Sequence, residues 1–485
     1  MVETPLYLGV LHHPAIGIRL PELFVPGILD AFRREGVAGT LMLSYGRETA
    51  PQYVIDAPPG EYEITRGHTG TSIGEYLRIA GWAARRLNVP VELEADHVTL
   101  STSSVRAVKR ISGVKEEAEA TEGELEEALR YIRDEVREAV STGFIRFYTV
   151  DTCDLIRYGA DRMSRSEIDA LFEEIESSKD LLRRYSGRRF VAVGESGRQY
   201  VYRFAEDDVK RLAVKYWRSL EGVERVYAIL REETPWEFGV EIAFDETPHI
   251  TRPVEMLFFL NELWERGVPV DYIAPNVGFE KKRDYSGSLA ELYWRVDEDA
   301  AIALRYGALL SFHSGSGSTP WSGKGPGVYE ALLAATGRRL KYKVSGVYYE
   351  LLLEVLESEP PGSRARRFYE EIYEAVIEYV RREVEERGPL YSRVMEEQLR
   401  RYEQIVGEIG YRYPPWADIF RYYSFLALNL REGRRRRYRE EIVELYMNDG
   451  VLRGKIDDAV RELTLRLIRG LEFGGNAEHL AAQST

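Results

Sequence analysis

The sequence predicts an α/β protein built on a TIM-type (β/α)8 barrel, with an inserted β-hairpin and a helical C-terminal extension. Short apolar runs of strand length alternate with amphipathic helical runs up to about residue 350, as in parallel sheets built from βα units. The strand-like runs read PLYLGVLHH, GTLMLSY, PVELEADHV, GFIRFYTVDTCD, VERVYAILR, FGVEIAFDE, VDYIAPNV, ALLSFHSGS and LKYKVSGVY. Eight or so such units indicate a closed barrel rather than an open sheet. We therefore expect residues 1–360 to form the barrel domain.

Amphipathic helices separate the strand-like runs. Between residues 122 and 140, for example, Leu125, Leu129, Ile132 and Val136 recur at three- and four-residue spacing. This spacing predicts a helix with one apolar face.

One segment interrupts the alternation. Residues 188–204 read RRFVAVGESGRQYVYRF, in which two alternating apolar runs flank a turn-forming sequence. The pattern predicts a β-hairpin. We expect it to belong to an insertion around residues 186–220, which serves either as a lid over the barrel mouth or as a decoration of the barrel edge.

The sequence from about residue 364 is almost wholly of helical pattern, so we expect a helical C-terminal extension over residues 361–473. The tail, residues 474–485, has no apolar periodicity, which predicts that it is frayed. Within the extension, the basic run Arg434–Arg437 is followed by the acidic sequence YREEIVE. Because these acids can neutralise it, we interpret the run as a solvated helix face rather than a nucleic-acid contact.

The net charge of −14 argues against a nucleic acid or an anionic membrane as the main partner, because phosphate groups would be repelled. The sequence has no stretch of about 18 apolar residues, and it does not start with the basic-then-apolar order of a secretory signal. We expect a cytoplasmic protein that acts on a small molecule. Charged residues make up 30% of the chain and Arg outnumbers Lys, which favours a thermophilic source. The oligomeric state does not follow from the sequence.

The single cysteine, Cys153, excludes an internal disulfide and any cysteine-rich zinc site. We interpret it as a small buried residue at a strand end rather than as a nucleophile. Any metal bound by this chain is therefore expected on His, Asp and Glu side chains.

Polar clusters follow three of the predicted strands: EADH at 94–97, DET at 245–247 and HSGS at 313–316. The carboxyl ends of barrel strands form the rim on which catalytic groups converge. His97 and His313 are two of seven histidines, and each closes an apolar run at this rim. Two imidazoles and a carboxylate would make a three-point site for a divalent cation, whereas a single strand-end histidine is more often a hydrogen-bonding residue. The residues alone leave both interpretations open.

Three acidic residues are further candidates. Glu280, in the loop APNVGFEKKRDYSG, is either a third metal ligand or a surface acid paired with Lys281 or Lys282. Asp96 and Glu246 lie at two different strand ends, where one carboxyl group can take a proton and the other return it. The alternative is that these two carboxylates cap helices and hold loops.

In their order along the chain, these pieces resemble the tagaturonate epimerase family: A-D-H, then D-E-T, then A-P-x-x-G-F-E-K, then H-S-G-S. The similarity covers residues 90 to 350 and includes EIAFDETPHITRP, GVPVDYIAPNVGFEKKRDYSG, LLSFHSGS and KYKVSG. The resemblance implies a metal-dependent epimerase that interconverts tagaturonate and fructuronate. It also implies a divalent cation (Zn, Mn, Ni or Mg) on His97, Glu280 and His313, with Asp96 as proton acceptor and Glu246 as proton donor.

The sequence departs from the family pattern in one loop. The family motif continues H-S-G-S-D-K, whereas this chain reads HSGSGSTP from His313 and lacks the acid and the lysine. Lys324, in WSGKGPG, is a candidate for the lost cation, and Lys343, in KYKVSG, matches a strand lysine of the family. We expect these two lysines, with Ser314 and Ser316, to bind the substrate. An altered substrate is an open alternative.

Tagaturonate and fructuronate differ at the carbon beta to the ketone, so removal of an alpha proton cannot invert the required centre. Two routes remain, a reversible aldol cleavage or a proton exchange after the carbonyl has migrated, and both need a Lewis acid and a base. Epimerisation of a keto-uronate or a related ketose is the first hypothesis. The alternatives are another metal-dependent sugar isomerase or aldolase on the same barrel, and a catalytically silent sugar-binding paralogue.

Overall fold

The computed structural model describes residues 4–101, 103–111, 114 and 120–483. Eight parallel strands close into a barrel in the ring order β1-β10-β9-β8-β7-β4-β3-β2, and β5 pairs with β6 as an antiparallel hairpin. The strands are β1 (His13–Gly17), β2 (Gly39–Ser44), β3 (Val91–Thr99), β4 (Phe147–Asp151), β5 (Arg189–Val193), β6 (Gln199–Arg203), β7 (Gly239–Ala243), β8 (Tyr272–Ala274), β9 (Leu309–Phe312) and β10 (Leu340–Val344). The predicted fold class is confirmed.

Helices surround the barrel and continue after its last strand. They are α1 (Pro21–Glu35), α2 (Gln52–Asp56), α3 (Ile73–Leu87), α4 (Ser104–Ile111), α5 (Glu122–Ser141), α6 (Arg165–Glu173), α7 (Ser178–Tyr185), α8 (Glu206–Glu233), α9 (Pro253–Glu265), α10 (Leu289–Arg305), α11 (Val328–Thr336), α12 (Gly346–Glu357), α13 (Arg364–Glu386), α14 (Arg393–Ile409), α15 (Asp418–Tyr423), α16 (Arg437–Asn448), α17 (Gly450–Gly470) and α18 (Glu478–Gln483). The helix predicted from its apolar spacing is α5, which begins with a capping box at Thr121.

The first strand-like run of the sequence, residues 5–12, is not a strand but crosses the N-terminal end of the barrel. The Leu8 N–H donates to the Glu92 carboxylate at 2.9 Å, and the Leu11 N–H donates to the Tyr272 hydroxyl at 2.7 Å. Because these partners lie at the starts of β3 and β8, the segment covers the bottom of the barrel.

The run VERVYAILR, predicted as a strand, lies inside α8. Val223, Val226 and Leu230 are buried at three- and four-residue spacing, which is the period of a helix and not of a strand. Since α8 begins at Glu206, the inserted segment lies between β4 and α8 and does not extend to residue 220. It contains α6 and α7 as well as the hairpin.

The hairpin lies against the outer wall of the barrel. The N–H and hydroxyl of Ser196 donate to Asp297 on α10 at 2.9 and 2.7 Å, and the Tyr200 hydroxyl donates to the same carboxylate at 2.7 Å. Arg339, just before β10, pairs with Glu195 at 3.0 Å. These contacts put the turn of the hairpin near the N-terminal ends of the strands, so it decorates the barrel and does not cover its mouth.

The segment predicted to be a frayed tail packs against the barrel as far as residue 480. Asn476 is buried, accepts from the Ala38 N–H at 2.7 Å, and donates to the carbonyls of Ala38 and His12 at 2.9 and 2.8 Å. Leu480 is also buried. Because one side-chain amide anchors the segment, the lack of apolar periodicity gave no sign of it.

Among the described residues, no helix combines the length and apolar composition that a membrane crossing requires.

Candidate active site

A cavity of about 110 Å³ lies at the carboxyl ends of the barrel strands. Tyr422 and Phe425 of the C-terminal extension form part of its wall. The sequence-predicted residues that line it are Asp96, His97, His313, Ser314, Ser316 and Lys343. Glu246, Glu280 and Lys324 lie outside this lining.

His97 and Ser314 adopt a backbone conformation that residues with side chains rarely take, with φ of 49° and 57°. His97 lies in an irregularity of β3, where the pairing with β4 shifts between Ala95 and Val98. Such conformations cost about 1–3 kcal/mol each and persist where they direct a side chain to a functional position. Here the bulge brings His97 to His313.

Three side chains meet as a possible metal site. His97, Asp245 and His313 each offer one ligand atom, and these atoms lie within 4.8 Å of one another. The Asp245 Oδ1 atom is 3.0 Å from His313 Nδ1 and 3.9 Å from His97 Nε2. Its Oδ2 atom is buried with no hydrogen-bond partner in the described part of the chain. Two imidazoles and a carboxylate with a spare oxygen suit a divalent transition metal.

Each imidazole is held from behind by a second carboxylate. Asp151, the last residue of β4, lies 3.2 Å from His97 Nδ1, and Glu241 on β7 contacts His313 Nε2. In metal sites such a carboxylate fixes the tautomer and directs the other ring nitrogen towards the ion. The nitrogens left for ligation are Nε2 of His97 and Nδ1 of His313.

The electrostatics of this cluster favour positive charge. Burial lowers the pKa of His313, but Asp245 and Glu241 outweigh it and raise the pKa to about 9. The pKa of His97 is also raised against burial, with Asp96 the strongest of the carboxylates around it. A site that holds protons this firmly also suits a divalent cation, which would compete with them for the same nitrogens.

The structure does not bring Glu280 to the two imidazoles, so this geometry gives no support to the predicted Glu280 ligand. Its side chain is exposed, and its backbone carbonyl accepts from Lys324. The preceding Phe279 packs towards Phe312. The carboxylate that the structure brings to the two imidazoles is that of Asp245.

Lys343 is a partner of Asp96 rather than an available cation. Its Nζ lies 2.8 Å from Asp96, 2.5 Å from Glu94 and 2.9 Å from Glu241. Three carboxylates share its charge, so these contacts give no support to the prediction that Lys343 binds a substrate carboxylate. Burial raises the pKa of Asp96, but Lys343 and then the imidazoles hold it well below its usual range. The Ser44 hydroxyl also donates to Asp96, at 3.0 Å.

Glu246 forms two ion pairs beside the cavity. Its Oε1 atom lies 2.6 Å from Lys281 Nζ and 3.0 Å from Arg47 Nη1. Arg47 also donates to the Ser44 hydroxyl at 3.2 Å, which links this pair to the Asp96 side of the mouth. Lys281 and Arg47 both line the cavity, so Glu246 is linked to it through its two cationic partners.

Lys324 is buried behind the H-S-G-S loop. Its Nζ donates to the carbonyls of Glu280, Arg283 and Ser316, the last two at 2.8 and 3.2 Å. Burial lowers its pKa to about 7, against the opposing charge of Asp284. Lys324 therefore joins two loops, and these contacts give no support to the prediction that it binds the substrate.

The missing acid after H-S-G-S has a steric explanation. A Cβ on Gly317 would lie 2.1 Å from the Gly323 carbonyl oxygen and 2.3 Å from an Asp284 oxygen. Asp284 accepts from the Ser318 N–H at 2.8 Å and from the Ser322 hydroxyl at 2.7 Å. This loop is built around Asp284 and has no room for a side chain at position 317.

The C-terminal extension fixes the loop that carries Lys281. The Tyr422 hydroxyl donates to the Lys281 carbonyl at 2.7 Å, and Arg421 donates to the Lys282 carbonyl at 3.0 Å. Arg421 and Lys282 also pair with the buried Glu350, each at 2.8 Å. The extension is therefore part of the mouth.

Sequence reasoning gave no role to Asp151, Glu241, Asp245 or Arg47. Asp151 and Glu241 lie within apolar strand runs, and a charged residue inside a buried strand was the signal that could have found them. Nothing in the sequence distinguishes Arg47 from other loop arginines.

Comparison with known proteins gives concordant results. The model of the UxaE tagaturonate epimerase family matches residues 130–392, more than half of the chain. A tagaturonate/fructuronate epimerase of Thermotoga maritima is 30% identical over 249 residues, 51% of this chain and 48% of the relative. The chain thus spans about half the length of this relative.

Solved structures match over a longer part of the chain. The native fructuronate-tagaturonate epimerase of Cohnella laeviribosi has a TM-score of 0.65 at 20% identity, over 96% of this chain and 83% of that chain. Its complex with one glycerol has a TM-score of 0.64 at 19% identity, with the same coverage. At this identity the likeness shows a shared fold.

Proposed function

Because the chain belongs to the tagaturonate epimerase family, we propose that it interconverts tagaturonate and fructuronate with the help of a divalent cation. The observation that carries the proposal is the group of His97, Asp245 and His313 at the barrel mouth, in which both histidines are buried and Asp245 is partly buried. Catalytic sites of TIM barrels lie at this face.

The residues present suit a metal ion. The orphaned Oδ2 of Asp245 and the two imidazole nitrogens turned away from Asp151 and Glu241 form a mixed oxygen and nitrogen donor set. Such a set favours Zn²⁺, Mn²⁺ or Ni²⁺ over Mg²⁺, which prefers oxygen ligands alone. When bound, the cation would act as a Lewis acid towards a substrate oxygen.

Asp96 is the proposed base. Its Oδ1 atom lies 3.9 Å from His97 Nε2, so it adjoins the group that would hold the cation. Lys343 and Ser44 fix its orientation and keep it ionised. A carboxylate with so low a pKa is a weak base, and it therefore needs a substrate hydroxyl of increased acidity.

Glu246 is the proposed acid, acting together with Lys281. Because Glu246 is ionised in its two ion pairs, the proton would come from the ammonium group of Lys281, which lines the cavity and which Glu246 holds in place at 2.6 Å. Asp96 lies on β3 and Glu246 follows β7, two strands separated by β4 in the ring, so base and acid approach the substrate from different sides.

The test is turnover of tagaturonate by chelator-treated protein before and after addition of Zn²⁺, Mn²⁺, Ni²⁺ or Mg²⁺. We expect loss of activity on chelation, recovery with one or more of the transition metals, and fructuronate as the product. His97→Ala, Asp245→Asn and His313→Ala should lose both bound metal and activity. Glu280→Gln is the matched control and should retain both, since that side chain is exposed.

Deuterium from solvent separates the two chemical routes. Proton exchange after carbonyl migration places deuterium at the inverted carbon, whereas a reversible aldol cleavage keeps the original hydrogen there. Full activity after complete removal of metal would contradict the proposed cation. Tight sugar binding with no change of stereochemistry under any metal would instead identify a silent paralogue.

A further inference from the structure

A second group of polar residues lies across the barrel mouth from the candidate metal ligands. It is formed by Arg19, which follows β1, by His68, and by the start of α12. In the ring of eight strands β1 lies four positions from β7, the strand that precedes Asp245. The two groups therefore face each other across one cavity.

The guanidinium group of Arg19 has N–H donors that no described residue accepts from. Its Nε donates to Glu48 at 2.7 Å, and its Nη atoms make no hydrogen bond with the described residues. Both Nη atoms lie 3.5 Å from the position that a Cβ on Gly346 would occupy. Because Gly346 has no side chain, this edge of the guanidinium borders open space.

Gly346 is also the first residue of α12. The preceding Ser345 donates its hydroxyl to Glu48 at 2.9 Å and does not cap the helix. The N–H groups and the dipole at a helix start favour an anion. In TIM barrels, the loops after the seventh and eighth strands, here β9 and β10, often bind anions in this way.

His68 gives an independent sign of a ligand. The residue is 2% exposed, and its Nδ1 atom has no hydrogen-bond partner in the described part of the chain. The ring packs on Phe425, with centroids 4.4 Å apart, and lines the cavity. Burial and the charge of Arg19 hold its pKa well below its usual range, so the imidazole is neutral. A buried polar group left unpaired is costly unless a ligand completes it.

We propose that Arg19, His68 and the first turn of α12 form the subsite that binds the carboxylate group of the sugar acid. The inference rests on the proposed function for the identity of that acid. The other cations that line the cavity already have carboxylate partners. Lys343 pairs with three carboxylates, Arg47 and Lys281 share Glu246, and Lys282 pairs with Glu350. Glu48 uses only the Nε edge of Arg19, and the Nη edge has the forked geometry that suits a carboxylate.

Two variants remove the subsite in different ways. Gly346→Ala places a methyl group beside the Nη atoms without backbone strain, since this glycine does not have a positive φ. Arg19→Lys keeps a positive charge for Glu48 but removes the fork. Arg33→Lys, on the exposed side of α1, is the matched control. For the metal-loaded protein we expect the Kd and KM for tagaturonate to rise about 10- to 100-fold in both test variants and to stay unchanged in the control.

A second measurement does not depend on turnover. Acetate should raise the melting temperature of the wild type and of Arg33→Lys, and should have no effect on Gly346→Ala or Arg19→Lys. Bound-metal content should be the same in all four proteins. Unchanged tagaturonate affinity in both test variants would overturn the subsite even if the enzyme epimerises tagaturonate. Tagaturonate binding that depends on Arg19, without any turnover, would support the subsite and overturn the proposed epimerase activity.

Discussion

The imidazole rings of His97 and His313 meet edge to face across the barrel mouth, with centroids 5.1 Å apart and planes at 70°. They come from β3 and from the end of β9, and each has one nitrogen directed at a carboxylate behind it. This arrangement of two buried imidazoles, each oriented by a carboxylate behind it, is the geometry on which the proposed cation site depends.

The carboxylate behind His97 should control metal affinity. Asp151→Asn keeps the shape of the side chain but removes the charge that holds the Nδ1 proton of His97, so the tautomer with Nε2 available loses its support. We expect metal affinity to fall about 10- to 100-fold, measured by competition with a chelator. Asp297→Asn is a control at an equally buried carboxylate that binds the hairpin, and should leave metal affinity unchanged. Equal affinities in both variants would contradict an orienting role for Asp151.

The barrel fold and the proximity of the two histidines could be predicted from the sequence, because both depend on local sequence patterns. Apolar runs define the strands, and parallel strands bring their carboxyl ends to one rim, which places His97 and His313 together. Glu280 and Lys324 lie in long loops, where no period relates chain position to direction. Only the tertiary contacts of Phe279 and of the Glu280, Arg283 and Ser316 carbonyls determine which way these side chains point.

Other features that the sequence did not reveal depend on contacts between distant segments. The strand position of Lys343 was predicted, but its saturation by Glu94, Asp96 and Glu241 depends on the barrel closing β10 against the other strands. The anchoring of Asn476 likewise depends on Ala38, which is far away in the sequence. No local pattern encodes such contacts.

A buried carboxyl group away from the site should make stability depend on pH. Glu135 on α5 is 2% exposed, and burial raises its pKa to about 8, with Asp134 and Glu138 adding to the effect and Arg66 opposing it. Above the unfolded pKa of 4.5, the folded protein keeps a proton that the unfolded chain has lost. The free energy of unfolding therefore falls as the pH rises from about 4.5 to about 8, by up to ~1.4 kcal/mol per unit.

Glu135→Gln should remove this dependence. Unfolding by denaturant at several pH values should show a small difference from the wild type near pH 5 and an increasing advantage of the variant towards pH 8. Glu127→Gln, at an exposed position of the same helix, should follow the wild type. A constant difference between Glu135→Gln and the wild type across this range would contradict the raised pKa.

The anchored tail should contribute measurably to stability. Asn476→Ala removes three hydrogen bonds and leaves the buried Ala38 N–H without its acceptor. We expect a loss of about 2 kcal/mol in the free energy of unfolding. His479→Ala, at an exposed position three residues later, should cost little. Equal stability of the two variants would mean that the segment after α17 is not docked in solution.

The buried contact between the C-terminal extension and the barrel mouth should affect both stability and substrate binding. Arg421→Met removes one partner of Glu350 and the donor to the Lys282 carbonyl. We expect the free energy of unfolding to fall by about 3 kcal/mol, as when one member of a buried ion network is lost. The loop that carries Lys281 would lose a fixed contact, so KM for tagaturonate should rise, whereas bound metal should not change because none of its candidate ligands touches Arg421.

The neighbouring Arg283 provides the control for this prediction. It also joins the loop to the extension, through an ion pair with Asp418 at 2.9 Å, but its side chain is 47% exposed. Water screens such a pair, so Arg283→Met should cost less than about 1 kcal/mol and leave KM close to that of the wild type. If Arg421→Met and Arg283→Met changed the free energy of unfolding and KM equally, the burial of the Arg421 contact would not explain how the extension fixes the barrel mouth. If Arg421→Met lost metal along with substrate affinity, the extension would support the whole site and not the Lys281 loop alone.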